Sequence, residues 1–429
     1  MAAKRKARSS QLSLLSARAS GRAATPTTLS PLKVAGLFAG VGGLELGFHL
    51  AGHQTTLLVE SMPEARAVLR ERFAGVPLLE DVRELTADAL PAGVDVISAG
   101  FPCQDLSSVG LKEGILGSRS GLIGEVLRLL RDRPVPWLIL ENVPFLLDLS
   151  RGKALQLITQ RLQELGYSWA YRVLDAEAFG LPQRRRRWFL VASNVHDPRS
   201  VLLSGNVLRP IPPPHDQVAC GFYWTEGMRA LGWAVDAVPP IKAGSTVGVP
   251  SPPAILLPGG RGVVTPDIRD AERLQGFPVD WTKPAESVAR QSLRWRLVGN
   301  AVCVPVSRWI AERVGRGASY DDSFDAPLLE GARWPSAAWC LGDGRVHEAD
   351  CGEHPVWFGH ESLEAFLLFP GKPLSVRAAA GFLARANKGS LRFAAGLIEQ
   401  MRAIATSPSG EGFATGARRV SGAAEVMLP

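Results

Sequence analysis

The chain has 429 residues, enough for two or three domains, and its 46% hydrophobic content is ordinary for a protein with a sizeable core. No run of about 18 uncharged apolar residues occurs, so no membrane span is expected. The formal net charge of +7 equals the seven cations Lys4, Arg5, Lys6, Arg8, Arg18, Arg22 and Lys33 of an acid-free amino-terminal stretch. The remainder is balanced, and any nucleic-acid surface on it must come from local clustering rather than bulk charge.

Residues 1–32 read as a basic, solvated, disordered tail, since they lack the apolar face of a transit peptide. Five cysteines (103, 220, 303, 340 and 351) at irregular spacings, with no secretory segment, suit a reducing, cytoplasmic setting. From Lys33 the chain alternates short apolar runs with segments of helical spacing. The runs Val34–Phe38, Thr56–Val59, Val94–Ala99, Trp137–Leu140 and Trp188–Ala192 predict strands. Leu44–Ala51, Pro63–Phe73, Ser120–Arg131 and Ala154–Leu165 predict helices. This alternation, over residues 33–194, predicts an α/β domain with a mostly parallel sheet.

Residues 195–262 are rich in Pro and Gly and read as a small, irregular insert. Helical pattern returns at Asp267–Leu274 and Ala301–Val314, within a segment, 263–316, that rejoins the α/β domain. The last region, 317–429, predicts a hairpin over Trp339–His347 turning at Asp343-Gly344. It also predicts helices Leu374–Ala386 and Leu391–Ala405, capped by Ser375 and Ser390.

The candidate chemistry lies at predicted strand ends. Phe38-Ala39-Gly40-Val41-Gly42-Gly43-Leu44 follows a strand and opens a helix, as a loop bringing backbone close to a ligand does. Glu60 ends the next strand, where an acid suits a ribose diol, and Asp81 ends a third strand-like segment. Gly100-Phe101-Pro102-Cys103-Gln104 follows the Val94–Ala99 strand. Cys103 in this Pro- and Gly-flanked loop differs from an inert core thiol. Glu141-Asn142-Val143 ends another strand. Gln183-Arg184-Arg185-Arg186-Arg187 abuts the strand Trp188–Ala192, so Arg185 and Arg187 share one face. Gly299-Asn300-Ala301-Val302 is expected to open a late helix.

These motifs, with Arg273-Leu274-Gln275-Gly276-Phe277-Pro278, occur in the order found in DNA cytosine-5 methyltransferases, which the chain resembles from Lys33 to about Val314. The resemblance implies a Rossmann-like S-adenosylmethionine-dependent methyltransferase domain, a small target-recognition insert and a C-terminal α+β extension. It implies that Phe38, Gly40, Gly42, Gly43 and Leu44 line the S-adenosylmethionine pocket. Glu60 would hold the ribose and Asp81 with Val82 the adenine, while Pro102, Asn300 and Val302 close the site. Cys103, Glu141, Arg185 and Arg187 would handle the cytosine. Ser61 and Glu80 depart from the residues common at their positions.

The implied function is methylation of C5 in a flipped cytosine of double-stranded DNA through a covalent Cys103–C6 adduct, by a monomer in a bacterial or phage restriction–modification or defence setting, with a cognate endonuclease as possible partner. A transfer-RNA cytosine-5 methyltransferase, a non-catalytic DNA-binding regulator and a nicotinamide-dependent oxidoreductase are the alternatives. The last leaves every motif but the glycine loop unexplained. Arg209, Arg229, Lys242 and Arg261 are candidate DNA contacts in the insert. Arg377, Arg385, Lys388 and Arg392 are the same in the C-terminal helices, which could equally be packed on the catalytic domain. Cys340, His347, Cys351 and His354 have zinc-compatible types but no familiar zinc spacing, so no metal is expected.

Overall fold

The computed structural model describes residues 30–102, 121–244 and 252–407. The basic tail up to residue 29 lies outside them, as do Cys103, Gln104 and the segment after Ser407.

Continuous apolar runs make the central strands. β1 (Lys33–Leu37), β2 (Gln54–Val59), β3 (Leu78–Leu79), β4 (Val96–Gly100) and β5 (Trp137–Asn142) are parallel, in the order β3-β2-β1-β4-β5. β6 (Ser168–Asp175) and β7 (Arg186–Ser193) continue the sheet antiparallel, β7 lying beside β5. Every residue of β5 is buried, as expected of a strand covered on both faces. Helices α1 (Gly43–Leu50) and α2 (Pro63–Arg72) follow β1 and β2, α3 (Leu122–Asp132) precedes β5, and α4 (Lys153–Glu164) follows it. Side chains alternate between the two faces. Ala35, Leu37, Ile97, Leu138 and Leu140 pack under α3 and α4, and Val34, Val96 and Ile139 pack with α1. The result is a Rossmann-like sheet whose strand order reverses between β1 and β4, and ligands bind outside the carboxyl ends of strands at such a point.

β6 was not predicted. Its sequence carries Arg172 at the centre of a fully buried stretch, which breaks the apolar pattern. Its guanidinium Nε and Nη1 donate to the carbonyls of Leu202, Leu203, Gly205 and Gly352 at 2.6–3.3 Å.

The Gly- and Pro-rich insert contains strands. β8 (Cys220–Phe222), β9 (Ala234–Val235) and β10 (Ala254–Leu256) join β11 (Val263–Thr265) in a second, antiparallel sheet. The catalytic segment returns as α5 (Ile268–Leu274), α6 (Arg294–Asn300) and α7 (Val304–Arg313).

The C-terminal region adds to both sheets. β12 (Ala326–Pro327), β13 (Ala337–Cys340) and β14 (His347–Glu348) extend the first beyond β6, with β13 and β14 forming the predicted hairpin. β15 (Lys372–Pro373) pairs with β11 in the second. α8 (Val376–Ala386) and α9 (Leu397–Ala405) then cover that sheet, burying Phe382, Leu397 and Met401 against Phe222, Leu256 and Val263. Ser375 caps α8 as predicted, its hydroxyl accepting from the Ala378 amide. Ser390 caps nothing, because residues 391–396 are not helical and α9 starts after Gly396.

Candidate active site

Four of the predicted motifs meet at the carboxyl ends of β1, β4 and β5. Gly100, the last residue of β4, is their crossing point. A Cβ built there would lie 3.6 Å from Glu141 Oε2, 3.9 Å from the Phe38 carbonyl and 4.0 Å from Val302 Cγ2. Phe101 and Pro102 follow, one buried and one exposed, and lead in sequence to Cys103. Asn142, given no role from sequence, fixes this exit: its amide donates to the Phe101 carbonyl at 3.0 Å.

The glycine loop leaves β1 through Phe38, a non-glycine residue at φ 54, and Gly40 at φ 56. A Cβ at Gly40 would meet nothing within 4 Å, so the loop faces open space there. Behind it the packing is tight. Side chains at Gly42 and Gly43 would strike the Phe73 ring and the Val302 carbonyl, at 2.4 and 2.5 Å. The Trp281 indole donates to the Val41 carbonyl at 2.8 Å, so the Gln-Gly-Phe-Pro region braces the loop. Glu60 holds it from the front: Oε2 accepts from the Gly40 amide and Oε1 from the Met62 amide, both at 2.8 Å.

Of the other cofactor candidates, Leu44 is packed in the core, Val82 and Val302 are buried, and Asn300 is exposed. Asp81 caps the turn Val82–Glu84 and is engaged by Arg83, which holds its carboxyl below the usual range. Gly299 and Asn300 do not open a helix. They close α6, and α7 begins at Val304 with Pro305 in its first turn. Proline fits that position because the first turn needs no intrahelical N–H donor.

Glu141 lies at the end of β5, and Arg187 Nε is 3.2 Å from its Oε1. Burial pushes the Glu141 carboxyl up, against the pull of Arg187 and Arg185. Arg185 shares that face but is occupied. Its guanidinium donates to the carbonyls of Ile241 (3.1 Å), Gly299 (3.0 Å) and Ala301 (2.7 Å). Burial, then Arg187, lowers its pKa to about 10. Arg185 therefore ties the insert to the Gly-Asn-Ala-Val segment, while Arg187 faces the carboxylate. Gln183 and Gln275 interlock nearby. Gln183 accepts from the Ile241 amide and donates to the Leu274 carbonyl, and Gln275 donates to the Val298 carbonyl. Their motif positions signalled importance, but only the fold shows that they join lobes.

Three candidate DNA cations of the insert are paired: Arg209 with Glu177, Lys242 with Glu226 and Arg261 with Glu364, while Arg229 is exposed. Arg385 donates to the Trp224 and Glu226 carbonyls, whereas Arg377, Lys388 and Arg392 are exposed. Cys340 is buried in β13, His347 stacks on Trp339 at 4.2 Å, and His354 meets the edge of Trp357.

The family model for C-5 cytosine-specific DNA methylases matches residues 32–214. The chain is 47% identical over 370 residues to the Type II methyltransferase M2.BsuMI of Bacillus subtilis (strain 168), covering 83% of this chain and 94% of that one. The chain belongs to the C-5 cytosine-specific DNA methylase family. Its activity is methyl transfer to C5 of cytosine in DNA. It is also 29% identical to the Type II methyltransferase M.MspI of Moraxella sp, over 66% of this chain and 71% of that one. Among solved structures, the S. pombe Dnmt2 methyltransferase aligns at 19% identity with a TM-score of 0.49, covering 66% of this chain and 99% of that one.

Proposed function

We propose that this DNA cytosine-5 methyltransferase works through Cys103, Glu141 and Arg187, with Arg185 as a positioning residue. The pairing of buried Glu141 with half-buried Arg187, one strand from the residues that lead into Cys103, is the observation that carries the reading. The Cys103 thiolate adds to C6 of an everted cytosine, which is unreachable within the stack. The C5=C6 electron pair then makes C5 nucleophilic. Glu141, whose pKa burial raises, hydrogen-bonds the N3 and N4 edge, and Arg187 offsets negative charge at O2. Loss of the C5 proton returns the electron pair to the ring, and the sulfur leaves C6.

Members of this family use S-adenosylmethionine in general, and the residues at the β1 and β2 ends fit it. Gly40 opens onto free space beside Glu60, whose two oxygens each accept one backbone hydrogen bond and retain capacity for hydroxyl donors. When bound, the cofactor supplies an electrophilic methyl group. Glu60 would hold the ribose, Asp81 and Val82 the adenine, and the Phe38–Gly43 loop with Pro102 and Asn300 the remainder.

M2.BsuMI and M.MspI are Type II methyltransferases by name, which supports a bacterial or phage restriction–modification role for this chain. In that role it acts on double-stranded DNA in the cytoplasm, as a monomer, alongside a cognate endonuclease. Among the described residues no helix is long and apolar enough to cross a membrane. Bisulfite sequencing of DNA from cells expressing the chain tests the proposal. Methylation at C5 of a defined sequence, abolished by Cys103→Ser, is expected; methylation that persists in that variant overturns the mechanism.

A further inference from the structure

A cleft of roughly 400 Å³ lies between the catalytic sheet and the insert. Its lining includes Arg184, Arg186 and Arg187 on one side and Trp233, Pro239 and Pro240 on the other. Arg187 is committed to Glu141, and Arg186 pairs with Glu353 of the C-terminal region. Arg184 is exposed, and among the described residues no carboxylate lies within ion-pair distance of its guanidinium. Its backbone is nevertheless fixed. The Arg184 amide donates to the Val238 carbonyl at 2.9 Å, and Gln183 bridges Val238 in parallel register. The insert thus holds this cation at the lip of the cleft, one residue from buried Arg185. Trp233 is half-buried, its ring backed by Phe222 and His215 at centroid distances of 6.3 and 6.4 Å.

We infer that Arg184 and Trp233 form a nucleotide clamp across this cleft, Arg184 taking a backbone phosphate of the target strand and Trp233 walling the adjoining base or sugar. An exposed guanidinium and a half-buried indole lining one cleft supply the two groups that nucleic-acid backbones and bases recognise. The inference rests on the catalytic reading above, because the cleft adjoins the Glu141–Arg187 pair. It assigns the arginine run a division of labour: Arg184 to phosphate, Arg185 to the lobe junction, Arg186 to the C-terminal region and Arg187 to the cytosine.

The test is duplex binding by the full-length protein across a salt series, with methylation of the same DNA measured in parallel. Arg184→Gln is expected to lower the slope of log affinity against log salt by about one and to weaken binding alike on target and unrelated duplexes. Arg184→Lys should retain the slope, since the charge remains. Arg186→Gln should change it less than Arg184→Gln does. Trp233→Ala should weaken binding on the order of tenfold, and Trp233→Phe should restore most of it. A wild-type slope in Arg184→Gln, with wild-type methylation intact, overturns the clamp and leaves the catalytic reading standing. No methylation by the wild-type protein overturns the catalytic reading, and the clamp with it.

Discussion

Glu141 is a carboxyl drawn in two directions, toward neutrality by burial and toward ionisation by Arg187. Arg187→Ala removes the opposing charge and leaves the carboxyl buried beside the more distant Arg185. It is expected to cost the fold no more than about 1–2 kcal/mol by urea denaturation at neutral pH, because the unpaired carboxyl protonates instead of staying buried as a charge, and to slow methylation. Glu141→Gln keeps a hydrogen-bonding side chain but cannot shuttle a proton. Its turnover should fall by about 10²–10⁴-fold with little change in cofactor affinity, measured by single-turnover methyl transfer and equilibrium binding. At this scale much was legible: the pairing of Arg185 with Arg187 on one face follows from strand geometry. Their different duties did not, because the three carbonyls that occupy Arg185 come from segments between 56 and 116 residues away.

α1 carries an acid that the mechanism does not use. Glu45 is fully buried beneath β1 and β4, accepts from the Ser98 hydroxyl at 2.9 Å, and fits there because Gly36 has no side chain. Burial raises its pKa from 4.5 to about 7. Between those values the native state holds a proton that the unfolded chain releases. Its contribution is therefore complete below about pH 4.5 and lost as pH rises through about 7, a change on the order of 3 kcal/mol. Glu45→Gln should flatten the dependence of Tm on pH over that window, and an unchanged profile would assign the proton elsewhere. Glu45 also shows why elements were easier to find than their contents: helix α1 was evident from periodicity, but an acid on its buried side was not. β6 was hidden by Arg172 in the same way. The break between α6 and α7 was hidden because Gly299–Val302 looks like a helix start, when Ala301 is extended and the next helix waits for Val304.

In the whole molecule the C-terminal region is structural to both sheets. Removing residues 330–429 would strip β13 from β6 and β14 with it, remove β15 from β11, and expose Phe222 and Val263 on the second sheet. Such a truncation is expected to lose cooperative thermal unfolding and to be recovered mainly as aggregate; a monomeric product with unaltered Tm would contradict this. α8 was legible from its Ser375 cap, the hairpin from its turn dipeptide and α9 from its spacing, though not from Ser390, which caps nothing. Their destination was not, because pairing such as β11 with β15 joins residues more than 100 apart and leaves no local signature.

The most direct measurement of the central claim is covalent trapping on duplex DNA in which the target cytosine is replaced by 5-fluorocytosine, in the presence of S-adenosylmethionine. Fluorine cannot leave as the C5 proton does, so the adduct should persist through denaturation, with mass spectrometry placing the bond on Cys103. A crosslink at another residue, or none on a duplex that the enzyme methylates in its unfluorinated form, would contradict the assignment of Cys103 as the nucleophile.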